Sequence, residues 1–358
     1  MAYSERQKLL AEIERVRGSR ILAYVLSDRE TFPPSIPGFT ANLATEPQLL
    51  FVDQLRKIGR VPRLDLFLYT RGGTTDSVWP LVSILREHCD SLAVLVPFRA
   101  HSGGTLICLG ANEVIMTPAG ELSPIDPTTG NQFNPTDPAN PQQRFGISVE
   151  DVTSYFALSD ERAGITQEDK LDVFKELTSK VHPLALGNVE RVYRQIRRLA
   201  KSLLALHLDP ATHESKIEEI VRALTEQFYS HVHSINRQEA SSLLGKWVRS
   251  ASKDEEQLIW SLFESYVETL GLRSKFSLPE FMEDNPSRAL VINGAFVETT
   301  ELSQVFQTVI TVIQRPDLPS NVQVQVPPGG QIPLVPWAAR AYTFSIQRTG
   351  WRINTDGA

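Results

Sequence analysis

Two glycine-rich turns, each placed directly after a run that reads as a β-strand, constrain this chain more than any other feature. The first run, Leu64-Asp-Leu-Phe-Leu-Tyr-Thr70, ends in Arg71-Gly72-Gly73-Thr74. The second, Ser91-Leu-Ala-Val-Leu-Val-Pro97, leads to His101-Ser102-Gly103-Gly104-Thr105. Each turn runs into an amphipathic or apolar segment of helical character, and strand–turn–helix units in succession build a parallel sheet. The chemistry is constrained as well. A serine on a tight strand-to-helix turn is an exposed nucleophile, and glycines let backbone N–H groups approach a substrate with no Cβ in the way. Acyl transfer needs both together, because the N–H groups must meet the developing oxyanion.

The rhythm extends on both sides of the turns. Leu9, Leu10, Ile13 and Val16 have helical spacing, and Ile21 to Leu26 reads as a strand. A helix around Glu46 to Ile58, the strand Leu64–Thr70, a helix over Asp76–His88, the strand Leu92–Val96, a helix opening near Gly103 and the strand Glu113–Met116 follow. This predicts an N-terminal helix over 1–18 and an α/β core over 19–148 that holds both turns. Pro127 to Pro141 is rich in Pro, Asn and Thr and reads as a surface loop or lid. A mainly helical extension over 149–280 is expected next, with Val189, Val192, Ile196, Leu199 and Leu203 as one apolar stripe. Within it, Phe228 to Ile235 reads as strand or extended chain before a helix over Arg237–Leu244. Residues 281–358 are richer in Val, Thr and Gln and read as a small β-rich appendage.

The 36 basic and 42 acidic residues of the 358 leave a formal charge of −6, which argues against nucleic acid or an anionic membrane as partner. Cys89 and Cys108 lie in apolar runs outside any metal-ligand spacing, so buried free thiols in a reducing compartment and no metal site are expected. Met1 to Arg20 is charged throughout, unlike a signal peptide, and no window suits a bilayer span. The expectation is a cytoplasmic protein.

Four ordered motifs carry a resemblance. Tyr69-Thr-Arg-Gly-Gly73, Ala100-His-Ser-Gly-Gly-Thr105, Leu109-Gly-Ala-Asn-Glu-Val-Ile-Met116 and Gly120-Glu-Leu-Ser-Pro-Ile-Asp-Pro127 resemble the serine dehydrogenase proteinase family, a relative of Clp protease subunits and signal peptide peptidase A. The likeness is dense over residues 5–127 and resumes at Val181-His-Pro-Leu-Ala-Leu-Gly187 and Tyr229-Ser-His-Val-His-Ser-Ile-Asn-Arg-Gln-Glu-Ala240. It implies the Clp/crotonase fold, a spiral of ββα units, assembled as a homo-oligomer and acting on peptides or proteins.

The resemblance makes Ser102 the nucleophile; its other reading is a turn serine capping the helix at Gly103. The amides of Gly72 or Gly73 and of Gly103 are the oxyanion donors. A serine hydroxyl needs a base. Clp-type subunits carry a histidine after the strand that follows the nucleophile's helix, but Ser123-Pro-Ile-Asp126 has none. The family's altered order, Ser then Asp then His, puts Asp126 second, or leaves it a turn residue before Pro127. His231 then stands where Clp-type subunits have their acid, with His182 the next candidate. His88, His207 and His213 are expected to face solvent. His101 directly precedes Ser102, and neighbours in a turn rarely present side chains to each other. A Ser102–Lys180 dyad is the alternative that signal peptide peptidase A suggests, and it asks for a desolvated lysine.

These residues admit a serine hydrolase or a non-catalytic oligomeric scaffold on the same fold. Crotonase-type acyl-CoA chemistry, which shares the two-amide oxyanion hole, is a lesser option because it does not use a serine nucleophile. No G-x-x-x-x-G-K-[ST] motif occurs, so unfolding of a substrate would fall to a regulatory partner or to self-gating. No G-x-G-x-x-G opens a βα unit, and no cofactor is expected.

Overall fold

The computed structural model describes residues 3–29, 41–126, 128–140, 142–228, 230, 232–317 and 339–354. The chain divides into two compact units. One comprises residues 1–42, 46–59 and 253–358; the other comprises 43–45 and 60–252.

In chain order the first unit opens with α1 (Tyr3–Arg17), β1 (Arg20–Leu26) and α2 (Gln48–Ile58). The second unit then runs through β2 (Val61–Tyr69), α3 (Val78–Glu87), β3 (Cys89–Val96), β4 (Arg99–Ala100), α4 (Gly103–Leu109), β5 (Glu113–Met116) and β6 (Glu121–Leu122). It continues with the short strands β7 (Thr128–Thr129) and β8 (Ile147–Ser148) and the helices α5 (Val149–Ala157), α6 (Lys170–Lys180), α7 (Pro183–Leu204) and α8 (Pro210–Glu226). Its last elements are β9 (Ile235–Asn236), α9 (Arg237–Leu244) and β10 (Val248–Ser250). The first unit is completed by α10 (Lys253–Leu270), α11 (Leu278–Met282) and the long strands β11 (Ser287–Glu298), β12 (Ser303–Asp317) and β13 (Ala339–Ile353).

Of the α/β core expected over 19–148, β1 and α2 fall in the first unit, and residues 43–45 and 60–148 fall in the second unit. Its strands β10, β5, β3 and β2 lie side by side and all parallel. Leu64, Leu66, Phe67, Leu68, Leu92, Val94, Leu95, Val96, Val114 and Ile115 are wholly buried. Unbroken apolar runs of this kind are what a parallel sheet covered on both faces requires. All seven residues of α4 are buried, and α7 packs on α4 and α8 through Ala185, Val189, Ile196, Ala200 and Leu203. The strand β10 is an addition to the sequence reading; three residues are too short for a periodic signal.

A smaller sheet, β4-β6-β9, matters most for the site. Ala100, Leu122 and Ile235 are fully buried on one of its faces. Because strand side chains alternate, Arg99 and Glu121 share the other face, in register across the parallel pair.

Residues 128–129 form one strand of a small hairpin, and 130–140 run on as turns and loop. Thr128 pairs with Ser148 and Thr129 with Ile147. The buried Asn134 donates to the carbonyls of Thr129 and Phe145 at 3.0 and 2.9 Å. An interior amide side chain serves the backbone of a proline-rich stretch that has few N–H donors of its own.

In the first unit β1, β11, β12 and β13 form antiparallel pairs in that order, so the C-terminal region is β-rich as expected. Arg6 on α1 is 1% exposed and makes a two-pronged pair with Glu298 at 2.8 and 2.7 Å. The hydroxyls of Tyr266 and Ser303 donate to the same carboxylate. Among the described residues no helix is long and apolar enough to cross a membrane.

Candidate active site

Ser102 ends the turn between β4 and α4 with φ 50° and ψ −111°. Only Ser102 and Glu283 among the described non-glycine residues have positive φ. A Cβ in that region costs on the order of 1–3 kcal/mol and persists where surrounding contacts enforce it. Four hydrogen bonds surround it here. The Thr105 hydroxyl donates to the Ala100 carbonyl at 2.8 Å and accepts from the Ser123 N–H at 3.0 Å. Ser123 Oγ accepts from the Ser102 N–H at 2.7 Å and donates to the Pro124 carbonyl at 2.9 Å. Ser102 occupies the N-cap position of α4, yet its side chain makes no capping bond.

The two glycine turns meet. A Cβ built on Gly72 would lie 2.7 Å from the Cβ of Ser102 and 3.3 Å from the Gly103 nitrogen. One built on Gly103 would lie 3.8 Å from the Gly73 nitrogen. Gly72 has φ +103° and Gly73 φ +147°, values that side chains rarely adopt. Leu43 pins this turn from outside, its N–H donating to Gly72 and its carbonyl accepting from Thr74. The Gly72 N–H is spent on the Thr70 hydroxyl at 2.9 Å. Among the described residues the N–H groups of Gly73 and Gly103 have no acceptor.

Ser102 opens into a cleft of about 430 Å3 lined by Arg71, Arg99, His101, Ser102, Glu121, Ser123, Val232 and Ser234. His101 lines the same cleft. His101 Nε2 lies 3.2 Å from a Glu121 carboxylate oxygen. Burial pushes the His101 pKa down, against the pull of Glu121. Asp126 is buried and borders a second, narrow cleft with Glu150, Glu226, Phe228 and Ser230. His231 lies outside the described residues. His182 caps α7, where its Nδ1 accepts from the Leu184 N–H at 3.1 Å and its ring stacks on Phe133. Lys180 is 75% exposed and paired with Glu176 at 3.8 Å. His233 stacks on Phe228 and meets Glu239 at 3.2 Å.

His207 departs from the expectation of a solvent-facing side chain. Its Nε2 sits 3.0 Å from the Leu109 carbonyl at the end of α4, and its ring packs edge-on against Trp247. Burial, with the nearby Arg86 charge, lowers its pKa to about 4. Sequence reasoning also passed over Arg71, Arg99, Glu121 and Ser123. The alternation of 99 with 101 and of 121 with 123 was the available signal, but strands of two residues are too short to reveal it. Both cysteines are buried and free, and no metal-binding cluster occurs among the described residues.

Parallel strands, a serine on a strained strand-to-helix turn and a glycine turn packed against it form a framework that serine hydrolases use. Residues 1–181 match the ClpP-like SDH-type serine proteinases, and the chain belongs to that family. It is similar to two uncharacterized proteins of Methanocaldococcus jannaschii. MJ1495 is 30% identical over 152 residues, 42% of this chain and 50% of that protein. MJ0137 is 24% identical over 269 residues, 74% of this chain and 81% of that protein. The chain thus spans half the length of the first relative. Among solved structures it is similar to the 1510-N membrane-bound stomatin-specific protease, at 13% identity and a TM-score of 0.36, over 61% of this chain and 78% of that one.

Proposed function

We propose that the protein is an ATP-independent or partner-gated serine peptidase that cleaves peptides or proteins in the cytoplasm as a homo-oligomer. The observation that carries this reading is the strained Ser102 beside the N–H groups of Gly73 and Gly103. Ser102 Oγ attacks the scissile carbonyl. The carbonyl oxygen becomes an oxyanion, and the two amides stabilise it where it forms. His231 takes the hydroxyl proton and returns it to the leaving amine, while Asp126 orients the imidazole. Two neighbours of His231 support that assignment. Ser230 borders the cleft of Asp126, and Val232 borders the cleft of Ser102.

A fluorophosphonate probe on the full chain tests the reading, beside Ser102→Ala, His231→Ala, His182→Ala and Lys180→Ala. Labelling that disappears with Ser102→Ala and with His231→Ala is the expected result. Loss with His182→Ala or Lys180→Ala instead would reassign the base. Absence of labelling in the folded wild-type protein would favour a non-catalytic scaffold.

A further inference from the structure

The lining of the Ser102 cleft has a charge that sets it apart from the chain as a whole. The chain carries a formal −6, yet the cleft gathers two guanidinium groups, Arg71 and Arg99, against one carboxylate, Glu121. Among the described residues its one apolar lining residue is Val232, which is 85% exposed and offers no enclosed wall to a hydrophobic side chain. Ser123 and Ser234 supply the remaining polar surface.

Arg99 is held by structure. Arg99 stands opposite Glu121 in the β4–β6 register, with its Nε 3.8 Å from the carboxylate. Its guanidinium also lies 4.3 Å from the centre of the Phe98 ring. Arg71 immediately precedes the Gly72-Gly73 turn, so its charge is covalently next to the oxyanion side of the site. Charge in a concave site draws an oppositely charged substrate more strongly than the same charge on open surface.

We propose that this cleft is a carboxylate-selecting subsite, which takes peptides carrying Asp or Glu next to the scissile bond. The proposal rests on the peptidase reading for the scissile bond, but the subsite itself is a binding property. His101, kept neutral by burial near pH 7, adds a polar wall without adding charge.

Binding to the Ser102→Ala variant of the full chain separates the two. Capped hexapeptides identical except for a central Glu, Gln or Lys are compared by calorimetry. The expected order is Glu tighter than Gln by about tenfold or more, with Lys weakest. In the same background Arg99→Gln and Arg71→Gln are each expected to bring Glu within about twofold of Gln. Arg71 lies in an exposed turn, so its variant remains informative if Arg99→Gln fails to fold. Equal binding of Glu and Gln peptides, or binding of none of the three, overturns the subsite. Fluorophosphonate labelling of wild-type protein reads the peptidase reaction independently. A Glu preference without labelling keeps the subsite and removes the peptidase; labelling without the preference does the reverse.

Discussion

The N–H of Ser102 donates to the hydroxyl of Ser123 at 2.7 Å, across a gap that neither residue's local sequence announces. The bond ties the candidate nucleophile to the β6 segment and, through Thr105, to the strand that precedes the turn. Ser123→Ala removes the acceptor and leaves the Ser102 N–H without it. The expected result is a loss of about 1–2 kcal/mol in stability and roughly a ten- to hundredfold slower fluorophosphonate labelling. Ser123→Thr, which keeps the hydroxyl, should recover most of the labelling rate. Normal labelling by Ser123→Ala would show that the turn holds its shape without this bond.

Strain at Ser102 predicts an opposition between stability and activity. Ser102→Gly removes the Cβ from a positive-φ position. It should stabilise the protein by about 1 kcal/mol, since relieved strain exceeds the added flexibility of the unfolded chain. Ser102→Ala keeps the Cβ and should not gain in this way. Both should lose labelling. Chemical denaturation of the two variants is the comparison to make, and equal stabilities would contradict the strain argument.

Gly72→Ala places a methyl group 2.7 Å from the Cβ of Ser102, at a backbone φ of +103°. Relaxation must move the turn that presents Gly73. Labelling should fall by on the order of a hundredfold or more, with a stability loss of about 1–3 kcal/mol. Gly59→Ala, at a φ of +75° with nothing within 4 Å, is the control that keeps the backbone strain without the clash.

His207 makes the second unit sensitive to acid. Its pKa is about 4 in the folded protein against the ordinary 6.5, because burial disfavours the charged ring. The unfolded chain therefore binds the proton first. Stability from the neutral ring is fully present above pH 6.5 and is lost as pH falls through about 4. The interval corresponds to roughly 3 kcal/mol as an upper bound. Thermal melting between pH 7 and 4 should show a smaller loss for His207→Gln, whose amide can still donate to the Leu109 carbonyl. Parallel pH profiles would place the acid sensitivity elsewhere.

In the first unit the Arg6–Glu298 pair is almost wholly dehydrated, at 1% and 0% exposure. Arg6→Met strands a buried carboxylate and should cost about 3–5 kcal/mol. Arg6→Met combined with Glu298→Gln should cost clearly less than the two single changes summed, because the stranded charge is gone. Additive costs in a denaturation cycle would show that the two residues act independently.

Much of the second unit was legible beforehand, for a reason that particular strands make plain. Leu64–Thr70 and Leu92–Val96 are long apolar runs bounded by glycine or proline, and α9 falls on Arg237–Leu244 as read. Signals of that length survive in a single sequence. The hairpin at 128–148 did not, since its order comes from Asn134, whose two acceptors lie five and eleven residues away. His207 was misread for the same reason: its partner Leu109 is 98 positions distant.

Sequence by itself determined the elements, the two glycine turns and the residue types able to do acyl-transfer chemistry, because each depends on local sterics and on periodicity within one segment. Tertiary structure alone decided that the Gly72 amide is engaged while, among the described residues, those of Gly73 and Gly103 have no acceptor. It alone put His101, Arg71, Arg99 and Glu121 into the cleft of Ser102, and set Asp126 at a second one. Those outcomes follow from strand register and from hydrogen bonds between distant residues, and such distances exist only once the chain has packed.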